Sequence, residues 1–273
     1  MIKGRFKQLA VATGAGVLVA AAGLAVVPVV AGAAGSQPTA TAVTAKPSAT
    51  TTGHPLTVTA TVTAVTGTAT TPNSGTPTGT VTFVITGTPS GTVNCKTSNV
   101  VTLKHNGKAV CKVPAGQLQA LDSPYNVQAN YSGDPNFAAS TGNTTVTVAK
   151  AKTTTKLRIA PKPHSGTANS VTATVRTKFG GSLMTGTVLF SVAASPATGP
   201  GKRTCTNGGD SQPLAVSGNV GTAVCDLQPG WFVVSKMTST NKHPKGSWNV
   251  TANYSGDGNF LTSLGSKSGH SHS

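Results

Sequence analysis

Glutamate is absent from this 273-residue chain, and the acids amount to five isolated aspartates: Asp122, Asp134, Asp210, Asp226 and Asp257. Without glutamate, and with only 10% charged residues, long soluble helices have almost no material, so an all-α fold is excluded. Five scattered carboxylates leave no pair for general acid–base hydrolysis and no carboxylate-rich metal cage. Aromatics are 4% of the chain and do not interleave with the basic residues, which argues against dedicated nucleic-acid binding. Neither a C-x-x-C nor a G-x-S-x-G motif occurs, and Ser, His and Asp scattered along a Thr-rich chain do not make a triad. These absences predict a protein that is not an enzyme and carries no cofactor or metal. What the chain has in excess is threonine, about one residue in six, and basic charge, +16 net.

The N-terminus predicts export. Lys3, Arg5 and Lys7 precede an uncharged Ala/Val/Gly/Leu run over residues 9–34 that ends in Ala31-Gly32-Ala33, the charge, apolar stretch and small-residue site of a signal peptide. Cleavage is expected after Ala33 or Ala34, leaving no membrane span. The run is also long enough to be an uncleaved anchor, but its Gly and Ala content and Pro28 favour cleavage. Removing 1–34 takes away three basic residues and no acid, leaving +13. In an exported chain four cysteines read as two disulfides. Cys95 and Cys111 stand 16 apart, Cys205 and Cys225 stand 20 apart.

The chain repeats itself. V-T-A-T-V at 58–62 recurs at 171–175, T-G-T-V-x-F at 78–83 recurs at 185–190, A-V-C at 109–111 recurs at 223–225, and A-N-Y-S-G-D-x-N-F at 129–137 recurs at 252–260. Two tandem copies of one domain explain the matches, at 36–150 and 151–264, with 265–273 expected as a disordered tail. Within each copy apolar and polar residues alternate: Val58, Ala60 and Val62 share one face of a strand, and Val127, Ala129 and Tyr131 share another. Asn106-Gly107 and Ser217-Gly218-Asn219 are hairpin signals. The fold class is therefore all-β: two small antiparallel sandwiches, joined by a segment (149–155) too short to act as a flexible linker.

Tyr125 follows Leu121-Asp122-Ser-Pro and stands two residues before Val127, which resembles the tyrosine corner entering strand F of an immunoglobulin sandwich; Trp248 takes its place in copy two. Cys111 is then not the strand F cysteine of an antibody domain, and the inferred pairs are local, Cys95 with Cys111 and Cys205 with Cys225. The order G-T-V-x-F, a hairpin, then A-x-Y-S-G-D-x-N-F resembles the bacterial Ig-like repeat domains of secreted and surface proteins of Gram-positive bacteria, over about residues 39–263. Its most specific element runs from Tyr131 through Asp134 to Phe137, and from Tyr254 through Asp257 to Phe260. The cysteine pair departs from the usual cysteine-free member. The resemblance implies two immunoglobulin-like sandwiches with a structural, spacer or adhesive role, and no catalytic residues to carry over.

Several features invite a choice between chemistry and structure. Asp134 and Asp257 have the oxygen donors of a calcium ligand but no companion acids, so a backbone-capping turn with Phe137 or Phe260 plugging the sandwich end is expected. Of six histidines only His270 and His272 cluster, near the C-terminus. Asn130, Asn143, Asn249 and Asn253 stand in N-x-S/T sequons, without consequence on a bacterial reading. Lys104, Lys108 and Lys112 surround one expected hairpin, and Lys150, Lys152, Lys156, Arg158 and Lys162 the junction, a field that attracts anionic polymers. Copy two carries an insertion over 230–246, with Trp231, Phe232, Lys236, Lys242, His243 and Lys245; it reads as a binding loop or as an extra edge strand around Phe232. After Phe260 copy two shows no alternating run like 144–148 of copy one, so its last strand is expected to be missing: filled by the insertion, by a stub at 261–264, or by another chain in a strand-exchange dimer, with a self-covered monomer the first expectation. The resulting expectation is an exported, non-enzymatic spacer or adhesive protein at the cell envelope; the alternative is a binding module for an anionic cell-wall polymer or a host glycan through the basic surface and the 230–246 loop.

Overall fold

The structure, a computed structural model, describes residues 36–66, 75–88, 91–161, 168–195, 204–229 and 245–272. The signal segment 1–34 and the insertion with Trp231, Phe232, Lys236, Lys242 and His243 lie outside the described residues. Copy one contains β1 (Thr39–Lys46), β2 (Ala49–Thr51), β3 (Leu56–Ala64), β4 (Thr80–Thr86), β5 (Thr92–Val93), β6 (Val100–Thr102), β7 (Lys108–Val113), β8 (Tyr125–Tyr131) and β9 (Ser140–Ala149). Copy two contains β10 (Thr154–Ala160), β11 (Asn169–Arg176), β12 (Thr187–Ser195), β13 (Ser211–Pro213), β14 (Ala215–Ser217), β15 (Val220–Leu227), β16 (Lys245–Tyr254) and β17 (Ser263–His272). The described residues hold no helix longer than a single 3-10 turn.

Each copy is two sheets face to face. Copy one stacks β1-β3-β7 on β2-β9-β8-β4-β5, with β6 also paired to β4; copy two stacks β10-β11-β15-β14 on β13-β12-β16-β17. The cores follow from the alternation: Val58, Ala60 and Val62 face Val81, Phe83, Val127 and Ala129 in copy one, and Val171, Ala173 and Val175 face Val188, Phe190, Val250 and Ala252 in copy two, all 3% exposed or less. Val and Ala bury less area than Leu or Phe, so these cores hold less hydrophobic stabilisation than their length suggests. The disulfides offset this. Cys95 bonds Cys111 and Cys205 bonds Cys225, each closing a loop worth about 3 kcal/mol in the chain-entropy model.

A polar seam closes one side of each sandwich. Thr39 Oγ1 donates to Ser140 Oγ at 2.8 Å and Thr41 Oγ1 shares a bond with it at 2.7 Å; Thr153 and Thr155 meet Ser263 at 2.8 and 2.7 Å. Two residues on, Gly142 and Gly265 have no side chain because a Cβ would strike the carbonyls of Thr41 and Thr155.

Three expectations need correction. Copy two does not lack its last strand, and residues 265–272 are strand rather than a disordered tail: β17 pairs with β16 antiparallel along its whole length, from Tyr254↔Ser263 to Lys245↔His272. It lacks alternation because its covered inward positions are Gly265 and Gly269, small so that Thr155 and Trp248 can lie over them. The edge of β16 that a strand exchange would fill is thus occupied by the chain itself. Lastly, Asn106-Gly107 makes a turn but no hairpin, since β6 pairs with β4 and β7 with β3, in different sheets; Ser217-Gly218-Asn219 does join a paired hairpin, β14 to β15.

Candidate functional site: turn carboxylates and the domain junction

The S-G-D-x-N-F element is a turn held by its aspartate. Gly133 and Gly256 take φ of +77° and +67°, a conformation costly for any residue with a Cβ, and so aim the next carboxylate back at the chain. Asp134 Oδ1 accepts from the N–H groups of Asn136 and Phe137, both at 2.8 Å, and Oδ2 accepts from Thr78 N and Oγ1 at 2.8 and 2.7 Å. Asp257 repeats this with Asn259 N, Phe260 N, Thr185 N and Thr185 Oγ1 at 2.7, 2.8, 2.6 and 3.1 Å. The carboxylate ties the β8–β9 turn to the start of β4, and the β16–β17 turn to the start of β12. Both oxygens are thus directed at N–H and O–H donors rather than at space a cation could take. Phe137 and Phe260 are buried behind the turns.

Burial raises the phenols of Tyr131 and Tyr254 well above the usual tyrosine range, reinforced by Asp134 and Asp257 beside them. Tyr254 Oη donates to the Thr185 carbonyl at 2.8 Å and stands 3.2 Å from Asp257 Oδ2. For Asp134 partial desolvation pushes upward, but the hydrogen bonds from Thr78, Asn136 and Phe137 prevail and hold its carboxyl below the ordinary value. A depressed folded-state pKa contributes stability that is full above the unfolded value and is lost as pH falls through the folded one. Copy one is therefore expected to melt lower as pH drops below about 4, and Asp134→Asn to flatten that dependence; calorimetry across the acid range, from about pH 2 to about pH 6, measures both.

Tyr125 is fully buried at the start of β8, and its Oη accepts from Gln119 N–H at 2.9 Å, the backward bond of a tyrosine corner. Burial raises this phenol, opposed by the Gln119 bond and assisted by Asp122. Ala120 N donates to Thr52 Oγ1 at 3.0 Å. The corner, with its 3-10 turn Ala120–Asp122, then presents Gln119 and Leu121 to copy two. Trp248 holds the matching place in β16 and is 6% exposed; Lys245 is the first residue of that strand.

The corner of copy one meets the turn of copy two. Ala151, between β9 and β10, donates to Asn259 O and accepts from Leu261 N, both at 2.9 Å. Asn259, 4% exposed, accepts from Leu121 N on Oδ1 at 3.3 Å and donates from Nδ2 to Gln119 Oε1 at 3.2 Å. Lys150 Nζ donates to Asp257 O at 2.6 Å. Leu121 lies on Gly258, where a Cβ would overlap it; copy one has Pro135 there. On the other side Gly53 packs against the backbone of Gly180, and His54 meets Phe179 edge-on with centroids 5.1 Å apart. Gln119 and Asn259 were not singled out from the sequence, and Lys150 was read there only as part of the basic field around the junction. The change from S-G-D-P-N-F to S-G-D-G-N-F was the available signal, since only the turn that receives a neighbour needs the smaller residue.

A search of curated proteins finds no match. Among solved structures the chain is similar to the adhesin InvE of Yersinia pseudotuberculosis, at 16% identity over 85% of this chain and 58% of that one, TM-score 0.36. It is also similar to the Escherichia coli adhesin FdeC, at 18% identity over 82% and 62%, TM-score 0.28. A Salmonella alpha-2-macroglobulin matches at 13% identity over 86% and 16%, TM-score 0.32. The chain spans about a sixth of the macroglobulin and somewhat over half of each adhesin. The profile of the bacterial Ig-like domain (group 3) matches residues 43–149, which is copy one, and copy two repeats its motifs.

Proposed function

We propose that this chain is a non-catalytic, rigid two-domain module acting outside the cytoplasm as a spacer or adhesive element. The observation that carries the reading is the junction: four residues separate β9 from β10, Asn259 clamps the corner of copy one, and Lys150 is bonded to the Asp257 carbonyl of copy two. In each copy the corner and the turn lie at opposite ends of one strand, β8 or β16, so this docking sets the sandwiches end to end. A connection held at so many points transmits position and force, which a spacer requires. Two disulfides suit an oxidising compartment.

Spin labels placed on β4 and β12 are expected to give one narrow distance distribution by double electron–electron resonance. Asn259→Ala with Gln119→Ala is expected to broaden it while shifting neither melting transition by more than about 1 kcal/mol, the worth of ordinary hydrogen bonds. A broad distribution in the unaltered chain would refute the rigid spacer.

A further inference from the structure

The two outward faces of each sandwich differ in charge. On the β8 sheet of copy one the outward positions are Thr80, Thr82, Val84, Asn126, Gln128, Asn130 and their like, and on the β16 sheet Leu189, Ser191, Asn249, Asn253, Ser266 and Ser268. Among the described side chains, neither face carries an outward Lys, Arg or Asp. The opposite faces do. Lys46, Lys108 and Lys112 point outward and exposed from the β3 sheet, and Lys156, Arg158 and Arg176 from the β11 sheet. Asp226 is the single acid on these faces among the described residues, and Ser170 Oγ donates to it at 2.8 Å. The other acids are occupied elsewhere: Asp134 and Asp257 in their turns, Asp210 by Cys205 N–H at 2.9 Å, Asp122 at the corner.

The basic positions do not correspond between the copies. Lys112 matches Asp226 in the repeat, and Lys156 matches Ala42. Both copies nevertheless place their outward strand cations, among the described side chains, on the same face, which plain solubility would not require. The cations stand on a field of threonine. Lys46 and Lys112 flank Thr57 in one cross-strand row, two strand spacings or about 10 Å apart. Lys156 and Arg158 lie two residues apart on β10, about 7 Å, with Thr174 and Thr172 opposite them on β11. Ammonium and guanidinium groups with hydroxyl donors between them suit phosphate oxygens. Uneven spacing suits a flexible chain better than a rigid duplex. With no aromatic side chain among the cations, bases would have nothing to stack on.

We infer that the outward faces of the β3 and β11 sheets bind a linear, base-free phosphodiester polymer, the chemistry of a poly(glycerol phosphate). This interaction surface does not depend on the spacer reading, since it needs neither a rigid junction nor adhesion.

The probe is poly(glycerol phosphate), titrated against the full chain from low to high salt. Lys46→Gln, Lys108→Gln and Lys112→Gln together are expected to weaken binding about tenfold or more at low salt. They should also reduce the slope of log affinity against log salt by about two, at roughly 0.7 for each phosphate no longer neutralised. Thr82→Glu, Asn126→Asp and Gln128→Glu lower the net charge by the same three units on the uncharged outward face of the β8 sheet and are expected to change affinity less than about threefold. Equal losses in the two triples would overturn the site in favour of general charge attraction. Tighter binding of poly(dT) of matched charge would overturn the base-free partner, and no binding at low salt would overturn both. Unchanged melting of both triples establishes that folding is not what is being read.

Discussion

Gly269→Val is expected to destabilise copy two by about 3 kcal/mol, and Trp248→Tyr made alongside it to restore most of that loss. In copy one the corner residue Tyr125 pairs across strands with Val146, both fully buried. In copy two the same pair is Trp248 and Gly269, and a Cβ on Gly269 would overlap the indole. The larger ring thus fills the volume that valine fills in the other repeat. Adding valine under the ring overpacks a closed site, which costs about 1–3 kcal/mol or more. Trimming the ring alone leaves a void, costing about 2 kcal/mol. The double variant recreates the copy-one pair and should lose only about 1 kcal/mol, so the interaction energy should be favourable by about 4 kcal/mol, far outside additivity. Urea denaturation of the four chains, following the copy-two transition, measures it. Additive losses would mean that the ring and the glycine are not a packing pair.

The same pair accounts for the strand that could not be read. Strands of copy one announce themselves through alternation because each inward position carries its own apolar side chain, as in Val146 and Val148 of β9. In β17 the covered inward positions are glycines, and the burial is supplied by side chains of neighbouring strands, so hydrophobic period carries no signal there. A different signal was present: Phe137 and Phe260 are each followed three residues later by Ser-x-Gly, at Ser140 and Ser263, and this is the seam that faces the threonines of the first strand. Repeat, cysteine spacing and turn glycines were legible because each depends on residues close in sequence. Sheet membership was not: the Asn106-Gly107 turn has the chemistry of a hairpin, yet the strands on either side prefer partners in different sheets. The junction escaped for the same reason, because Asn259 and Gln119 come from segments 140 residues apart.

Asp257 belongs both to the fold and to the junction, so Asp257→Ala should show two effects at once. Besides the longer contact from Tyr254 Oη, its carboxylate accepts four hydrogen bonds, three of them from backbone N–H groups of Thr185, Asn259 and Phe260. Bonds to a charged acceptor are worth about 1.5–3 kcal/mol each when removed singly, but four that share one carboxylate are lost together and the freed donors at this half-exposed turn partly rehydrate, so about 3 kcal/mol is expected for the set. The second effect is geometric. Asn259 reaches Gln119 and Leu121 only while its own N–H is held by Asp257, and the turn carbonyls receive Ala151 and Lys150. Asp257→Ala is therefore expected to lower the copy-two transition and also to broaden the distance between the copies under conditions where both remain folded. Asp134→Ala makes the same change in a turn that holds no neighbouring domain. It should destabilise copy one to a similar extent and leave the interdomain distance narrow. If Asp134→Ala broadened that distance as much as Asp257→Ala, rigidity would come from global stability rather than from the clamp; if neither did, the short connection and the close packing of Gly53 on Gly180 would be sufficient to hold the two sandwiches in line.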